Sequence, residues 1–381
     1  MRVPPAVPLQ LPAFYGFYFA YLGAFAPFFA VYLSALGLGA FEIGGLMALP
    51  QLTRILAPHL WGWLADRRGE RMTVVRLAGG AGTVAFLGVF LSEQVLGLGL
   101  ALFAMTFFWS AALPLVEATT LAHLGEETAR YGRIRVWGSV GFIVAVVGVG
   151  YLLDRTHPRA VLWVILSLMV SMLFLAWQLQ DVPSRSADSD HLPVWAIIRR
   201  REVIALILAS ALMAAAHGPY YTFYTLHLVA MGYTKAVAGW LWALGVVCEI
   251  GIFFWMSRLY QAFSLRQILI ASALLAALRF LWIGWCADQW LLLLSAQALH
   301  AASFGAFHAA AIGVVHRVFR GRHQAQGQAI YGSLAYGLGG GIGGFVSGYV
   351  WGQWGAGLTF SMASACALLA ALVLWRGLRL E

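Results

Sequence analysis

Charge is scarce in this chain. Of its 381 residues only 10% are charged, while 61% are hydrophobic; soluble domains carry about 25% charged residues. So few charges cannot cover a water-facing surface, which excludes a soluble globular protein and makes lipid the solvent. Cysteine is scarce as well. Cys248, Cys286 and Cys366 all lie in apolar runs and make no CxxC pair, so they read as buried packing thiols, with neither a disulfide framework nor a thiolate metal site. No HExxH, no GxSxG and no paired carboxylates facing the lumen occur, which argues against a polytopic membrane enzyme. The formal charge of +9 does not point to nucleic acid, because the basic residues sit in short polar breaks and form no basic domain. The first apolar segment follows Arg2, and it is too long and aromatic for the core of a cleavable signal peptide; it reads as a retained span.

What the chain has in abundance is apolar runs long enough to cross a bilayer, which takes about 20 residues each. Between polar breaks they give twelve spans: roughly 11–36, 42–64, 72–92, 95–121, 132–153, 159–180, 202–228, 235–258, 265–286, 290–315, 325–350 and 356–376. With the N-terminus placed in the cytoplasm, the breaks on that side hold Arg67, Arg68, Arg71, Arg130, Arg133, Arg185, Arg199, Arg200, Arg201, Arg258, Arg317, Arg320, Arg322, Arg376 and Arg379. The opposite breaks hold Arg155, Arg159 and Lys235. Cytoplasmic loops are enriched in arginine and lysine, and one miscounted span would scramble this alternation. The asymmetry therefore supports the span count together with a multi-pass protein of the bacterial inner membrane, both termini cytoplasmic.

The polar stretch from Asp181 to Glu202, with Pro183, Ser184, Ser186, Ser189 and Pro193, divides the spans six and six. The expected organisation is a six-helix bundle over 1–180, a cytoplasmic linker over 181–201 and a second bundle over 202–381. The halves share a pattern: Trp137-Gly138-Ser139-Val140 recurs as Tyr331-Gly332-Ser333-Leu334, and the same 194-residue offset carries Pro27-Phe28-Phe29 onto Tyr221-Thr222-Phe223 and Gly45 onto Gly239. The fold class expected is an all-α membrane protein of twelve transmembrane helices in two pseudo-symmetric bundles, with a solute site near the membrane midplane.

The sharpest local motif is Gly62-Trp63-Leu64-Ala65-Asp66-Arg67-Arg68-Gly69-Glu70-Arg71 in the cytoplasmic break after the second span. It resembles the G-x-L-x-D-R-x-G-x-[RK] signature of the major facilitator superfamily, which implies the major facilitator fold and a gating role for Gly62, Asp66, Arg67, Gly69 and Arg71. The glycines suit a tight inter-helix turn, and Asp66 suits an arginine or a helix N-terminus. The counterpart in the second half, Ser257 to Gln267, keeps Arg258 and Arg266 but has no aspartate.

Ionisable side chains within spans are costly and usually functional. Glu117, Arg135, Glu249, Arg279 and His300 stand out, with Arg54, His217 and His308 beside them. At 1.5 Å rise per residue, Glu249 and Arg279 lie about 20 Å and His300 about 15 Å from the starts of their spans, so the three can meet near mid-membrane. The stretch Pro114-Leu115-Val116-Glu117-Ala118 with Tyr131-Gly132-Arg133-Ile134-Arg135-Val136-Trp137-Gly138 resembles the lactose permease family, where the glutamate and second arginine bind sugar. That family's proton-carrying acid follows its histidine by three positions; this chain has Ser303 there. A closer resemblance is to the phenylpropionic acid permease branch, over His217, Tyr220-Tyr221, Gly239 through Val247 with Glu249, and Leu299-His300 with His308. It implies import of an aromatic carboxylate with a proton.

The expected roles follow. Glu249, Glu117 and His300 couple the proton. Arg135, Arg279, Glu117, His217, Tyr18, Tyr21, Tyr221 and Tyr224 contact the substrate; the tyrosines are singled out because a phenol in lipid needs a partner. For Glu249 the competing reading is a static ion pair with Arg279. No metal or cofactor is expected, the proton gradient supplying the coupling ion, and the partners expected are a small-molecule substrate and membrane lipid, around a monomer. The runner-up is a proton-coupled sugar or nucleoside symporter, suggested by Glu117 and Arg135; multidrug efflux ranks below it, since Gly138 to Tyr151 contains no proline. The glycines at 337, 339, 340, 341, 343 and 344 suit close helix contact.

Overall fold

In lipid, a backbone segment must satisfy its own polar groups, so an apolar chain of this kind has helices as its simplest solution. The computed structural model describes residues 8–379 apart from 126, 128, 129, 182–193, 321 and 322, with the side chain of residue 325 also undescribed; Arg2, Arg185, Arg322 and most of the expected linker lie outside the described residues. Among the described residues there is no strand.

The helices are α1 (Gln10–Ala35), α2 (Ala40–Thr53), α3 (Ala57–Arg68), α4 (Arg71–Leu91), α5 (Val95–Trp109), α6 (Ala112–Leu124), α7 (Tyr131–Arg155), α8 (Ala160–Gln178), α9 (Trp195–Ile198), α10 (Arg201–Ala230), α11 (Lys235–Ala262), α12 (Leu265–Trp285), α13 (Trp290–Ala298), α14 (Phe307–Val318), α15 (His323–Tyr331) and α16 (Gly340–Gly377). Two π-helical stretches, Ala301–Ala306 and Gly332–Gly339, join α13 to α14 and α15 to α16. Among the described residues, ten helical stretches are long and apolar enough to cross a membrane. The last of them contains two of the expected spans, because α16 runs through a kink at Gly355 with φ of 75°, a conformation that L side chains rarely adopt. The second expected span is α2 followed by α3, interrupted at Arg54–Leu56 just before Pro58. Pro114 lies in the first turn of α6, just after the break that separates it from α5. A proline has no N–H to give a preceding carbonyl, and both interruptions sit beside one.

Packing divides the described residues into two compact units, one drawn from 1–36 and 56–189, the other from 37–55 and 190–381. In the first, α1 packs on α7 and α8, and α4 packs on α5 and α8. Gly141 meets the carbonyl of Gly16 so closely that a Cβ would collide with it. In the second, α10, α12 and α2 all pack on α16. The glycine run explains how. Gly339 and Gly343 press on the backbone of Ala211 and Ala215 in α10, while Gly341 faces Leu52, Gly344 faces Ala48 and Gly348 meets Gly44, all in α2. Without a water-driven hydrophobic force in lipid, such small-residue contacts carry helix association. Leu91, Phe174, Phe254 and Leu291 point outward, as a lipid-facing surface requires.

The internal repeat is visible, with its register sharpened by one residue at the first spans of each half. Helices α1 and α10 end at Ala35 and Ala230, turn through Gly37 and Gly232, and resume at Ala40 and Lys235, a separation of 195. This matches Phe28-Phe29 to Phe223-Tyr224, all four buried.

Candidate functional site

The second unit brings Arg279, Glu249 and His300 together, as the depth argument expected, and adds His217 beside them. Arg279, on α12, is 0% exposed. Its Nε donates to the carbonyl of Ala296 at 3.0 Å; its Nη1 lies 3.3 Å from Ser303 Oγ and 3.4 Å from His217 Nε2. Its guanidinium carbon stands 4.1 Å from the centre of the Tyr220 ring. Nη2 has no hydrogen-bond partner, and among the described residues no carboxylate lies within ion-pair distance of Arg279. A buried charge without a counter-charge is expensive, so this arrangement needs a reason. Ser303 supplies part of it. At the position where the lactose permease resemblance places an acid, this chain has a neutral hydroxyl, and that hydroxyl sits against Arg279.

Glu249, on α11, meets His300 instead, with Nε2 to Oε2 at 3.7 Å. Glu249 keeps a 19% exposed side chain where His300 has 6%. His300 follows α13 and immediately precedes the π-helical stretch, which carries Ser303; such stretches often mark functional sites. Aromatic rings enclose the group. His300 stacks on Phe304 at 5.3 Å and on Tyr220 at 5.7 Å, His217 meets Phe280 edge-on, and Tyr220 packs on Trp242 at 4.4 Å. Of the expected substrate tyrosines, Tyr224 is buried beside Tyr220 at 4.8 Å and Tyr221 stacks on Trp242 at 5.9 Å. His308 binds the hydroxyl of Tyr336 through Nδ1 at 2.7 Å and stacks beyond Phe304. Arg54 is exposed at the end of α2.

The first unit holds a different cluster. Tyr131 OH donates to Glu117 Oε1 at 3.0 Å, and Arg135 Nε lies 3.8 Å from the same oxygen. Arg135 also covers the face of Phe19 at 3.9 Å. Both charged side chains are about one third exposed, at 33% and 34%. Tyr15 OH shares a hydrogen bond with Thr120 Oγ1 at 3.2 Å and packs edge-on against Tyr131. Tyr18 and Tyr21 are buried nearby on α1, with Tyr21 packed between Phe25 and Trp109.

The loop motif also resolves into parts. Gly69 closes α3 in the left-handed conformation, φ 71°, its N–H reaching the carbonyl of Ala65 at 2.9 Å. Gly62 lies within α3 with open space around it, so Gly69 alone makes the turn. Asp66 and Arg67 are exposed, Arg67 lying over Trp63 at 5.4 Å; Arg71 begins α4. The carboxylate at the α4 N-terminus is not Asp66 but Asp181, whose Oδ1 accepts from Met72 N at 2.6 Å. Arg76 reciprocates from α4, donating to the carbonyls of Ala176 and Leu179 at the end of α8. Arg266, at the start of α12, donates in the same way to the Trp375 carbonyl. Composition alone gave no signal for these pairs, which join distant helix ends.

A family model matches residues 9–362, that of the MFS_1 like family. The chain belongs to this family. Curated relatives include the "Probable 3-phenylpropionic acid transporter" of Escherichia coli (strain K12), 27% identical over 330 residues, covering 85% of this chain and 86% of that protein. The maltose permease of Geobacillus stearothermophilus is 27% identical over 372 residues, covering 95% and 92%. Among solved structures, the nucleoside transporter NupG superposes with a TM-score of 0.86 at 17% identity, covering 98% of this chain and 99% of that one, a likeness of fold. This MFS_1 like protein is thus a multi-pass membrane transporter of a small molecule, not an enzyme, and its fold is the major facilitator fold.

Proposed function

We propose that the chain is a proton-coupled symporter of an organic anion, specifically an aromatic carboxylate of the phenylpropionate kind, working by alternating access. The observation that carries this reading is the fully buried guanidinium of Arg279, which among the described residues has no acid within ion-pair distance and whose Nη2 has no hydrogen-bond partner. A substrate carboxylate would supply the missing charge through a charge-assisted, fork-like contact. The aromatic faces of Tyr220, Phe280 and Phe304 suit a planar apolar body beside that charge. Similarity to the "Probable 3-phenylpropionic acid transporter" points the same way. Glu249, paired with His300, is the proton carrier in this reading, with Glu117 second; Arg135, His217, Tyr18, Tyr21, Tyr221 and Tyr224 complete the substrate contacts, and the loop of Gly62, Asp66, Arg67, Gly69 and Arg71 gates the cycle. The six-span halves 1–180 and 202–381, joined by 181–201, are the bodies that alternate, in a monomer of the inner membrane with both termini cytoplasmic.

The test is uptake of 3-phenylpropionate into right-side-out vesicles. Glu249→Gln is expected to abolish accumulation driven by a pH gradient while leaving counterflow measurable. Gradient-driven accumulation that survives at the unmodified level would remove Glu249 from the coupling role. A second reading, a sugar or nucleoside symporter, is favoured by the hydrogen-bonding set of Glu117, Tyr131 and Arg135 and by similarity to a maltose permease. Saturable uptake of maltose or a nucleoside, with none of the acid, would select it.

A further inference from the structure

We infer that Gln297 is the second recognition group for the substrate carboxylate and sets the preference for an acid over its neutral amide. The inference rests on the anion reading of Arg279 and deepens it. Gln297 is on α13 and is 0% exposed. The residue before it, Ala296, provides the carbonyl that accepts from Arg279 Nε. The residue three on is His300, which faces Glu249. Gln297 therefore stands at the turn of the helix that joins the cation to the acid.

The orientation of its amide is held from one side. Tyr220, whose ring covers the Arg279 guanidinium, donates its hydroxyl to Gln297 Oε1 at 2.9 Å. With the oxygen end tied, the nitrogen end is turned away from Tyr220, and Nε2 has no hydrogen-bond partner. Tyr224 OH lies beside Gln297 and is likewise unmatched. A buried amide nitrogen left unmatched costs as much as a lost hydrogen bond, and most buried polar atoms are matched. Here two unmatched N–H groups, Arg279 Nη2 and Gln297 Nε2, belong to side chains bridged by one tyrosine. His300 Nδ1, one turn away, is unmatched as well. Both Arg279 and Gln297 present donors only at these atoms. A carboxylate, with two oxygens and no hydrogen to offer, is the group that satisfies both. A primary amide would turn an N–H toward one of the donors. The site is closed to water, so the substrate reaches it when the surrounding helices part.

The test uses purified full-length protein in liposomes, with 3-phenylpropionate and 3-phenylpropionamide as probes. Gln297→Leu removes the donor and is expected to raise the KM for the acid about tenfold, one charge-assisted contact, while leaving the maximal rate within about twofold and weak inhibition by the amide unchanged. Gln297→Glu places an acid beside Arg279. It is expected to abolish acid uptake and to make the amide the better competitor, a reversal that damage to the fold would not produce. Unchanged acid-over-amide preference in both variants would overturn the inference while leaving the transport reading intact. If the wild-type protein transports neither 3-phenylpropionate nor any simple carboxylate such as acetate, the anion reading of Arg279 fails first, and this inference with it.

Discussion

The two ion-bearing clusters of this transporter solve opposite problems. In the first unit, Glu117 and Arg135 sit 3.8 Å apart, one third exposed, with Tyr131 completing the acid's shell. In the second, Arg279 is wholly buried among neutral partners, and the nearby acid, Glu249, is engaged with His300. The first cluster is compensated by its own residues. The second separates its cation from its acid, an arrangement that suits the proposed roles of Arg279 as anion site and Glu249 as proton carrier. A protein that moves a carboxylate with a proton needs that separation.

The largest expected effect comes from Arg279→Met. Uptake of an aromatic carboxylate should fall by about 100-fold, the loss of a fork of charge-assisted bonds. The melting temperature in detergent should not fall, because replacing an uncompensated buried charge with a packed apolar side chain is often neutral or stabilising. If stability collapsed along with uptake, Arg279 would be a structural residue.

Ser303→Asp makes the second cluster resemble the first by giving Arg279 an internal partner from a residue now 3.3 Å away. Uptake of the acid should drop by at least about tenfold, and thermal stabilisation by added acid should disappear. Persistence of that stabilisation would mean that the anion binds elsewhere.

The smallest effect belongs to the first cluster. Arg135→Met should change acid uptake by no more than about fivefold, since partly exposed pairs contribute about 0.2–1 kcal/mol. A double-mutant cycle with Glu117→Gln, read as uptake, should give a coupling within that range. A coupling several times larger would move the substrate's charged end to Glu117 and Arg135 and favour the sugar or nucleoside reading.

Much of this was legible in the sequence. The arginine alternation and the apolar runs led to twelve spans in a major facilitator fold, and helical rise alone brought Glu249, Arg279 and His300 to one level. The missing acid at Ser303 was visible as a departure from a family pattern; its consequence, a neutral neighbour for Arg279, needed coordinates. Breaks beside Pro58 and Pro114 left a trace in the residue string. The π-helical stretches Ala301–Ala306 and Gly332–Gly339 left none, because an apolar run reads alike whichever carbonyl each N–H reaches. The repeat was read at 194 residues from short matches, whereas helix ends give 195 at the first spans, since a turn fixes register more sharply than similar side chains do. Gln297 was missed because a glutamine in an apolar run carries no charge to draw attention, and Asp181 because its partner, Met72 N, is a backbone group far away in sequence.

The central claim is that the buried guanidinium of Arg279 meets a substrate carboxylate. Calorimetric titration of the purified wild-type protein with 3-phenylpropionate and, separately, with 3-phenylpropionamide tests it most directly. The account predicts saturable binding of the acid at least about tenfold tighter than of the amide. Equal affinity for the two, or binding of neither alongside saturable binding of a sugar, would contradict it.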